Sequence, residues 1–432
     1  MQKSNNSESE HSSLRARKRV CIVTFGCQMN EADSEDIAVS FRRRGFELTG
    51  ELKKADAVVV NTCTVRQKAE DKALSQIGRL RKWKRERPHG KLFVVGCAAE
   101  KLGGKFIMKK FPFVDAVIGS KSIAGADEVL EGYFGAGLRE APAESLFTSP
   151  VSAYVTIMRG CPLKCSYCVV PSVRGEAAYL PAEEILGEVK ARAGGGAREI
   201  IFLGQTVNSY RHGKTDFAGL LRRAAETDKV KRIRFMSPHP LYFDDAFFRA
   251  FAEEPKLSRH IHLPVQSGSD RLLKAMRRGY DRARYLGILK DLRAAAPDAA
   301  VSTDFIVGYP GETEEDFRDT LSLAREGGFA FAFCFKYSQR GDAKGLAPDL
   351  AEKEIEERLE RLLCEVKKNS RDILNSRIGK MEEVLLESAD SGRTSSDFKV
   401  KLDAAAGLKA GGLVRAEIYG ADKNVLKGRP IP

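Results

Sequence analysis

The 432-residue sequence contains no apolar run approaching the roughly 18 residues of a membrane-spanning helix. Its first 19 residues are polar and lack the apolar segment of a secretory signal, so we predict a disordered tail over 1–19. Nine cysteines without such a signal favour the reducing cytoplasm and no membrane partner. In that compartment, clustered cysteines bind metal or act in catalysis more often than they form disulfides.

Negative charge is in deficit, because 59 Asp and Glu stand against 72 Lys and Arg, a formal net charge of +13. The positive excess is concentrated in three blocks, over residues 79–91, 229–234 and 271–282. One such block is typical of a solvated helix face. Several blocks on a positive chain favour a polyanionic partner, most commonly nucleic acid.

Three β-branched runs alternate with helix-like stretches and predict a parallel α/β domain over 20–140. The runs are VCIVTFGC, ADAVVVNTC and KLFVVGC, and each ends in a cysteine: Cys27, Cys63 and Cys97. Ligands bind at the carboxyl ends of parallel strands, so we expect these three residues, the strand-end triplet, to share one site. The alternative is that each is a small buried core residue.

Residues 147–375 contain six strand-then-helix units, which predict a partial (β/α)6 barrel with its chemistry at the strand carboxyl ends. The predicted strands are 154–158, 199–203, 233–236, 260–265, 302–307 and 329–337, and the helices between them begin near 181, 217, 244, 269 and 314. Polar residues at these strand ends could meet a cofactor, or could equally be loop caps or core hydrogen-bond partners. They are Gln205, Asn208, Ser237, His239, Gln266 and Asp304.

The segments EEVLLE, FKVKLD and LVRAEIYG alternate with period two and predict a small β-barrel over 376–432, after a charged helix over 350–377. Such a barrel has too little core for demanding chemistry, so we interpret it as a binding module. Cys21, Cys334 and Cys364 are expected in strand or helix interiors as core residues.

The segment RGCPLKCSYCVVPSVRG, residues 159–175, contains Cys161, Cys165 and Cys168, the loop triplet, with no fourth cysteine nearby. A structural zinc site needs four ligands, and this segment offers neither a His nor another Cys. Iron–sulfur loops space cysteines two or three residues apart, so that one turn wraps the cluster. Three ligands on a four-iron cube leave one iron open to another molecule.

The loop triplet, with Tyr167 just before its third cysteine, resembles the radical S-adenosylmethionine superfamily. Over residues 20–430 the sequence is similar to the methylthiotransferases in that superfamily. The motifs are GCQMNEADSE, NTCTVRQKAEDKA, VVGCAAE, CVVPSVRGE, LGQTVNSY, HLPVQSGSDRLLKAMRRGY and DFIVGYPGET. The forms GCQMNEADS and LPVQSGSD are closer to the tRNA-modifying MiaB type than to the type that modifies a ribosomal protein. The terminal barrel, with ESADSGRTSSDFKVKL, resembles the tRNA-binding TRAM module of this family.

This resemblance implies an enzyme with two 4Fe–4S clusters. The loop triplet would hold the cluster that binds S-adenosylmethionine and generates a 5′-deoxyadenosyl radical, and the strand-end triplet would hold an auxiliary cluster that carries sulfur. Cofactor-binding candidates are Tyr167, Gln205, Asn208, Ser237, Gln266 and Asp304, and tRNA-binding candidates are Arg393, Lys399 and Lys401.

The reaction implied is methylthiolation of C2 of N6-isopentenyladenosine beside the anticodon, with two S-adenosylmethionine molecules consumed. An electron donor such as flavodoxin or ferredoxin and a sulfur donor would be further partners. Two alternatives keep the chemistry and change the substrate to threonylcarbamoyl-adenosine in tRNA or to a ribosomal protein. Another class of alternative is a non-catalytic RNA-binding metalloprotein.

Two positions depart from the family pattern. After the sixth strand the family usually reads Tyr-Ser-Pro-Arg-Pro-Gly-Thr, whereas residues Gln339 to Ala343 keep Arg340 and lose the stiff Pro/Gly turn. Contacts with the substrate there are therefore not predicted. Asp281 also follows Tyr280 where Thr is common.

Overall fold

A computed structural model describes residues 18–137, 151–340, 349–403 and 407–431. The predicted tail lies outside these ranges up to residue 17, and so do residues 341–343 of the altered segment after the sixth strand. No helix within the described ranges is long and apolar enough to cross a bilayer.

The first part of the chain forms a five-stranded parallel sheet with helices on both faces, in the order β2-β1-β3-β4-β5. Its elements are β1 (Arg19–Thr24), α1 (Gln28–Arg43), β2 (Glu47–Leu48), β3 (Ala57–Thr62), α2 (Gln67–Glu86), β4 (Lys91–Gly96), α3 (Cys97–Leu102), α4 (Gly104–Lys110), β5 (Ala116–Gly119) and α5 (Ala126–Phe134). Strand β3 is buried at every position because helices cover both faces of the sheet. The predicted parallel α/β domain is confirmed.

The second part contains the six predicted strands, arranged as two parallel three-stranded sheets, β12-β9-β6 and β13-β14-β15. The elements are β6 (Ser152–Thr156), β7 (Met158–Arg159), α6 (Val170–Arg174), β8 (Ala178–Tyr179), α7 (Ala182–Gly194), β9 (Glu199–Leu203), β10 (Arg211–His212), β11 (Thr215–Asp216), α8 (Phe217–Ala225), β12 (Arg232–Phe235), α9 (Asp245–Glu253), β13 (His260–His262), α10 (Asp270–Ala275), α11 (Arg282–Ala295), β14 (Ala300–Val307), α12 (Glu314–Gly327), β15 (Phe331–Lys336) and α13 (Glu352–Asn375). This is the expected open (β/α)6 arrangement.

Side-chain caps start several of these helices where the sequence predicts them. Asp216, Asp244, Ser269 and Thr313 each accept a hydrogen bond from a backbone N–H in the first turn that follows. Helix α11 was not predicted. It begins after Asp281, whose carboxylate accepts from Arg284 N at 2.8 Å, so the residue that departs from the family pattern caps this helix as a Thr would.

The first domain packs against the open interior of the half-barrel. On α1, Met29 and Ala32 contact Ile201 and Leu203, whose side chains point inward from β9. The alternate residues of the same strand, such as Phe202, pack outward against the helices in the main core. The strands are therefore buried on both faces, and this packing brings the strand ends of the two domains together.

The third part is a closed five-stranded barrel, in the order β16-β17-β18-β20-β19, which confirms the small C-terminal barrel. Its strands are β16 (Met381–Leu386), β17 (Ser391–Thr394), β18 (Lys399–Leu402), β19 (Leu413–Asp422) and β20 (Val425–Ile431). Its β17–β18 hairpin inserts Asp397 between the two sheets of the half-barrel. There the Asp397 carboxylate lies 2.9 Å from Arg234 and 3.7 Å from His260.

Two expectations about surface and core are wrong. Arg232 and Arg234 of the second basic block are buried beside Glu199, so they do not belong to a nucleic-acid surface. Cys364 is exposed on α13 because it lies outside the apolar stripe of that helix, whereas Cys21 is buried as expected and Cys334 is half-buried.

Candidate functional site

The strand-end triplet lies at the carboxyl edge of the parallel sheet. Cys27 precedes α1, Cys63 follows β3, and Cys97 opens α3 directly after β4. Burial, with smaller contributions from the neighbouring thiols of Cys27 and Cys97, raises the pKa of the Cys63 thiol to about 11. The three thiols therefore lie at the same edge of the sheet, and their sharing of one site stays a prediction.

Buried amides hold these strand ends together. Asn61 Oδ1 accepts from Asn30 Nδ2 at 2.9 Å, and Asn61 Nδ2 donates to Asn30 O at 2.8 Å and to Ser34 Oγ at 2.9 Å. These hydrogen bonds, two between side chains and one from a side chain to the backbone, join the NTC segment to the MNEADS segment. Since each amide satisfies the other in a dry interior, the positions of Cys27 and Cys63 are fixed by polar contacts as well as by packing.

Two glycines, one at a turn beside each triplet, allow close backbone contacts that a side chain would block. Gly26 has φ +142°, and a Cβ there would lie 2.8 Å from Cys63 Cβ. Gly160, with φ +78°, precedes Cys161, and a Cβ there would collide with the Glu176 carbonyl. A side chain at either position would therefore displace a cysteine of one of the triplets.

The loop triplet lies between β7 and α6 at the carboxyl end of the first barrel strand. Cys161 Sγ is 3.2 Å from Thr206 Oγ1, Cys165 Sγ accepts from Arg278 Nη1 at 3.5 Å, and Cys168 Sγ accepts from Val170 N at 3.4 Å. Burial, with smaller contributions from the thiols of Cys165 and Cys161, raises the pKa of the Cys168 thiol to about 12. At neutral pH the free thiol is protonated, so metal binding here releases protons.

Tyr167 packs against a cluster that includes Leu272, Met276 and Tyr309, and its hydroxyl accepts from Arg278 Nη1 at 3.1 Å. The structure thus holds this predicted cofactor residue beside the loop triplet. Asn208 also has protein partners: its Nδ2 donates to His239 O at 3.0 Å and its Oδ1 accepts from His239 N at 2.8 Å.

Among the described residues, three of those predicted at the barrel strand ends have a buried polar atom without a hydrogen-bond partner: Gln205 Oε1, His239 Nε2 and Asp304 Oδ1. The last of these atoms lies 3.4 Å from His262 Nε2. Ser237 and Gln266 have positive φ angles of 59° and 80°, a strained conformation that clusters at functional sites. Orphaned buried donors and acceptors beside a set of thiols are what a polar organic cofactor would satisfy.

Within the described ranges, no three or more His, Cys, Asp or Glu side chains are placed to hold a metal ion. The fit to iron–sulfur clusters is therefore one of donor chemistry. Each triplet offers three thiols and no other ligand type. Cys63 and Cys97 are buried, the other four cysteines are partly exposed, and the orphaned polar atoms next to the loop triplet suit a ligand with amino and carboxylate groups.

The two triplets are neighbours across the domain interface. Cys97 of the strand-end triplet packs against Val169 and Val173, and Val169 follows Cys168 of the loop triplet in the chain. The Asp33 carboxylate, fully buried, accepts from Arg174 at 2.8 Å and from Arg159 at 2.5 Å. Arg174 in turn lies beside Cys97 and Cys27. A reaction that needs both triplets is thus geometrically possible.

Sequence reasoning missed Asp33, Arg174, Thr206 and Arg278, although all four lie within segments that carry the resemblance. The sequence does not single out Asp33 and Arg174 as site residues, because a charged side chain is expected in solvent. Arg278 was assigned to a basic surface block. The sequence does contain a signal for the three charged residues. Asp33 and Arg174 each lie within ten residues of a triplet cysteine, and Arg278 lies within a motif that carries the resemblance.

The three predicted tRNA contacts differ in their surroundings. Arg393 is paired with Glu387 at 3.0 Å and with Asp397 at 3.2 Å, and Lys401 is paired with Asp390. Lys399 is exposed. Lys399 is accordingly the most accessible of the three to a phosphate.

Residues 155–324 match the Radical SAM superfamily, and residues 19–119 match a family described as uncharacterized protein family UPF0004. A tRNA-2-methylthio-N(6)-dimethylallyladenosine synthase from Endomicrobium trichonymphae is 42% identical over 385 residues, 88% of this chain and 92% of the relative. The synthase of that name from Sorangium cellulosum is 40% identical over 461 residues, 95% of this chain and 92% of the relative.

Among solved structures, the radical S-adenosylmethionine methyltransferase TsrM from Kitasatospora setae, with cobalamin and a [4Fe-4S] cluster bound, matches with a TM-score of 0.56. The match covers 75% of this chain and 77% of that one, at 14% sequence identity. At this level of identity the comparison establishes a shared fold.

Proposed function

The chain belongs to the tRNA-2-methylthio-N(6)-dimethylallyladenosine synthase family of radical S-adenosylmethionine enzymes, and from this premise we propose that it methylthiolates C2 of N6-isopentenyladenosine beside the anticodon of tRNA. The observation that supports this most directly is the contact of Cys97 with the segment that follows Cys168. Two three-thiol sets side by side suit a reaction that couples two cofactor sites.

We assign a 4Fe–4S cluster with S-adenosylmethionine to the loop triplet and an auxiliary 4Fe–4S cluster to the strand-end triplet. When bound, the first supplies the electron that cleaves S-adenosylmethionine and the second supplies the sulfur. A second S-adenosylmethionine molecule would supply the methyl group. The residues of the protein itself would bind and orient the cofactors and the substrate and exclude water from the site.

His239 and Gln205 are the residues we expect to touch the organic cofactor. His239 Nδ1 accepts from Leu241 N at 3.2 Å, so the proton resides on Nε2, the orphaned atom. Burial, with a smaller contribution from the charge of Arg278, lowers the pKa of His239 to about 2. The imidazole is therefore neutral at physiological pH and offers a hydrogen-bond donor, not a general base.

For the substrate, a single-stranded anticodon loop allows a base to be splayed out toward the strand ends. The net charge of +13 suits an RNA partner. The names of the relatives favour the prenylated adenosine over threonylcarbamoyl-adenosine or a ribosomal protein, and membership of an enzyme family argues against a non-catalytic metalloprotein. The proposal includes a cytoplasmic location, a flavodoxin- or ferredoxin-like electron donor and a sulfur donor.

Nucleoside mass spectrometry tests the substrate. A strain lacking this protein should accumulate N6-isopentenyladenosine in its tRNA and lose the 2-methylthio derivative, and the wild-type gene should restore it. The Cys161→Ala gene should not, because a ligand of the loop triplet is gone. Loss of a methylthio group from threonylcarbamoyl-adenosine, with the prenylated nucleoside unchanged, would overturn the substrate assignment.

Iron and sulfide analysis tests the number of clusters. Six thiols in two sets should bind about eight irons and eight sulfides per chain after anaerobic reconstitution. The triple replacement of Cys161, Cys165 and Cys168 by Ala should halve both values. A wild-type protein that takes up zinc but no cluster absorbing visible light would contradict the proposal.

A further inference from the structure

Arg278 lies in the turn between α10 and α11 and is buried, with 4% of its surface exposed. Its neighbour Arg277 is exposed. Burial of an arginine is costly, because its guanidinium stays charged at every physiological pH. The position of the Arg278 side chain therefore needs an explanation beyond packing.

Every nitrogen of that guanidinium has an acceptor. Nε donates to Tyr280 Oη at 3.0 Å, Nη2 donates to Pro264 O at 2.8 Å, and Nη1 donates to Tyr167 Oη at 3.1 Å. Nη1 also donates to Cys165 Sγ at 3.5 Å. Two of these partners, Tyr167 and Cys165, belong to the loop that carries the loop triplet.

The same turn holds the loop by its backbone. Ser166 N donates to Met276 O at 3.1 Å, and Ser166 Oγ donates to Ala275 O at 3.0 Å. Three consecutive residues, 165 to 167, are thus hydrogen-bonded to the segment 275–278. The position of Cys165 relative to its neighbours depends on this turn.

Among the described residues, no carboxylate pairs with Arg278. The strongest electrostatic neighbours of its guanidinium are the phenols of Tyr167 and Tyr280 and the thiol of Cys165. The thiols of the loop triplet become negative only when they bind metal, because a ligating thiol is deprotonated. A buried cation with neutral partners in the free protein is thus matched by the negative charge that the triplet gains with a cluster.

We propose that Arg278 is a positioning residue that raises the reduction potential of the cluster at the loop triplet, an inference that depends on the proposed function for the presence of that cluster. Reduction adds negative charge, and a fixed guanidinium in a dry site stabilises the reduced form more than the oxidised form. The hydrogen bond to Cys165 Sγ acts in the same direction, since hydrogen bonds to cluster sulfurs are among the determinants of potential. Arg278 would thereby ease electron transfer from the reductant.

The experiment is a redox titration of the full-length protein, followed by electron paramagnetic resonance. The strand-end triplet is replaced by Ala in every sample, so that one cluster gives one midpoint potential. Arg278→Met should lower that potential. Arg278→Lys should lower it by less, because the charge remains while the fork that reaches Cys165, Tyr167 and Pro264 together is lost. Arg277→Met, the matched control, should leave it unchanged.

Iron content is measured on each sample to separate positioning from loss of the site. An unchanged potential in an Arg278→Met protein that holds its full four irons would overturn the inference. If Arg278→Met fails to retain iron, Arg278→Gln, which also removes the charge but keeps a hydrogen-bond donor, is titrated in its place, and an unchanged potential in that protein would overturn the inference equally. Failure of the proposed function itself would look different, since the parent protein would then show no reducible cluster at all.

Discussion

Asp33 and Arg174 form a hydrogen-bonded ion pair 2.8 Å long across the interface between the first two domains, and neither side chain is accessible to solvent beyond 4%. Asp33 belongs to the helix that begins beside Cys27, and Arg174 ends the helix that follows the loop triplet. The distance between the two triplets is therefore fixed by a contact between charged groups, in addition to the apolar contact at Cys97.

We expect Asp33→Asn to destabilise the interface, because it leaves the buried Arg174 without a carboxylate and Arg159 with Asp36 alone. Removing one partner of a buried pair costs about 3–5 kcal/mol. The control is Asp36→Asn, since Asp36 pairs with Arg159 from a side chain that is 56% exposed, and such pairs contribute about 0–1 kcal/mol. Urea unfolding midpoints measure both effects, and equal shifts would show that the buried pair is not the stronger one.

Replacement of Cys27, Cys63 and Cys97 by Ala should separate the two chemistries. The loop triplet and the polar residues at the barrel strand ends remain, so S-adenosylmethionine should still be cleaved when a reductant is supplied. No methylthio product should form on tRNA. Chromatography of 5′-deoxyadenosine and mass spectrometry of the nucleosides give both readouts from one reaction. Methylthiolation by this variant would mean that the sulfur site lies elsewhere.

The stability of the protein should fall as the pH falls from about 6.5 to about 3, in part because of His260. Burial is the main cause that lowers the pKa of His260 from 6.5 to about 3. The charge of Asp397 acts in the opposite direction, and the charges of Arg234, His262 and Arg393 act in the same direction as burial. In this window the unfolded chain binds a proton that the folded chain does not, so unfolding becomes easier as the pH falls.

Substitution separates this contribution from the rest of the acid denaturation. His260→Gln should reduce the slope of unfolding free energy against pH between 6.5 and 3. His212→Gln should not, because His212 is exposed on the β10–β11 hairpin. Thermal or urea unfolding at four or five pH values gives the slopes, and identical slopes for the two variants would refute the assignment.

The C-terminal barrel should bind tRNA through Lys399. Each neutralised phosphate contributes about 0.7 to 0.9 to the slope of log affinity against log salt. Lys399→Ala should weaken binding and reduce that slope by about one contact. Arg393→Ala should instead lower stability, because Arg393 is paired with Asp397 at the docked hairpin. Filter-binding titrations at several salt concentrations distinguish them, and an unchanged slope for Lys399→Ala would exclude this contact.

Local signals account for what the sequence could predict. The period of the apolar runs locates the strands, and Asp244 and Ser269 locate helix starts. The shared site of the three cysteines at the strand ends stays a prediction. What failed involved the interior of the half-barrel. Arg234 alternates with core residues as a surface residue would, and no local pattern reveals that Asp397, 163 positions later in the chain, enters the barrel to pair with it.

The same reason applies to Arg278. Its basic neighbours Arg271, Lys274, Arg277 and Arg282 lie one to seven positions away in the chain, and only the fold shows that the Arg278 side chain turns inward toward Cys165. The juxtaposition of the two triplets likewise depends on how the first domain docks, which is a long-range property of the chain.

The hairpin around Asp397 has a consequence for the stability of the second domain. It bridges the seam between the two sheets at the amino ends of β12 and β13, where Ser395 O accepts from Arg259 N at 2.9 Å. Asp397 is the carboxylate that contacts both Arg234 and His260 there, so the C-terminal barrel supplies part of the interior of the second domain. Deletion of the barrel would therefore expose these two side chains and destabilise the half-barrel itself.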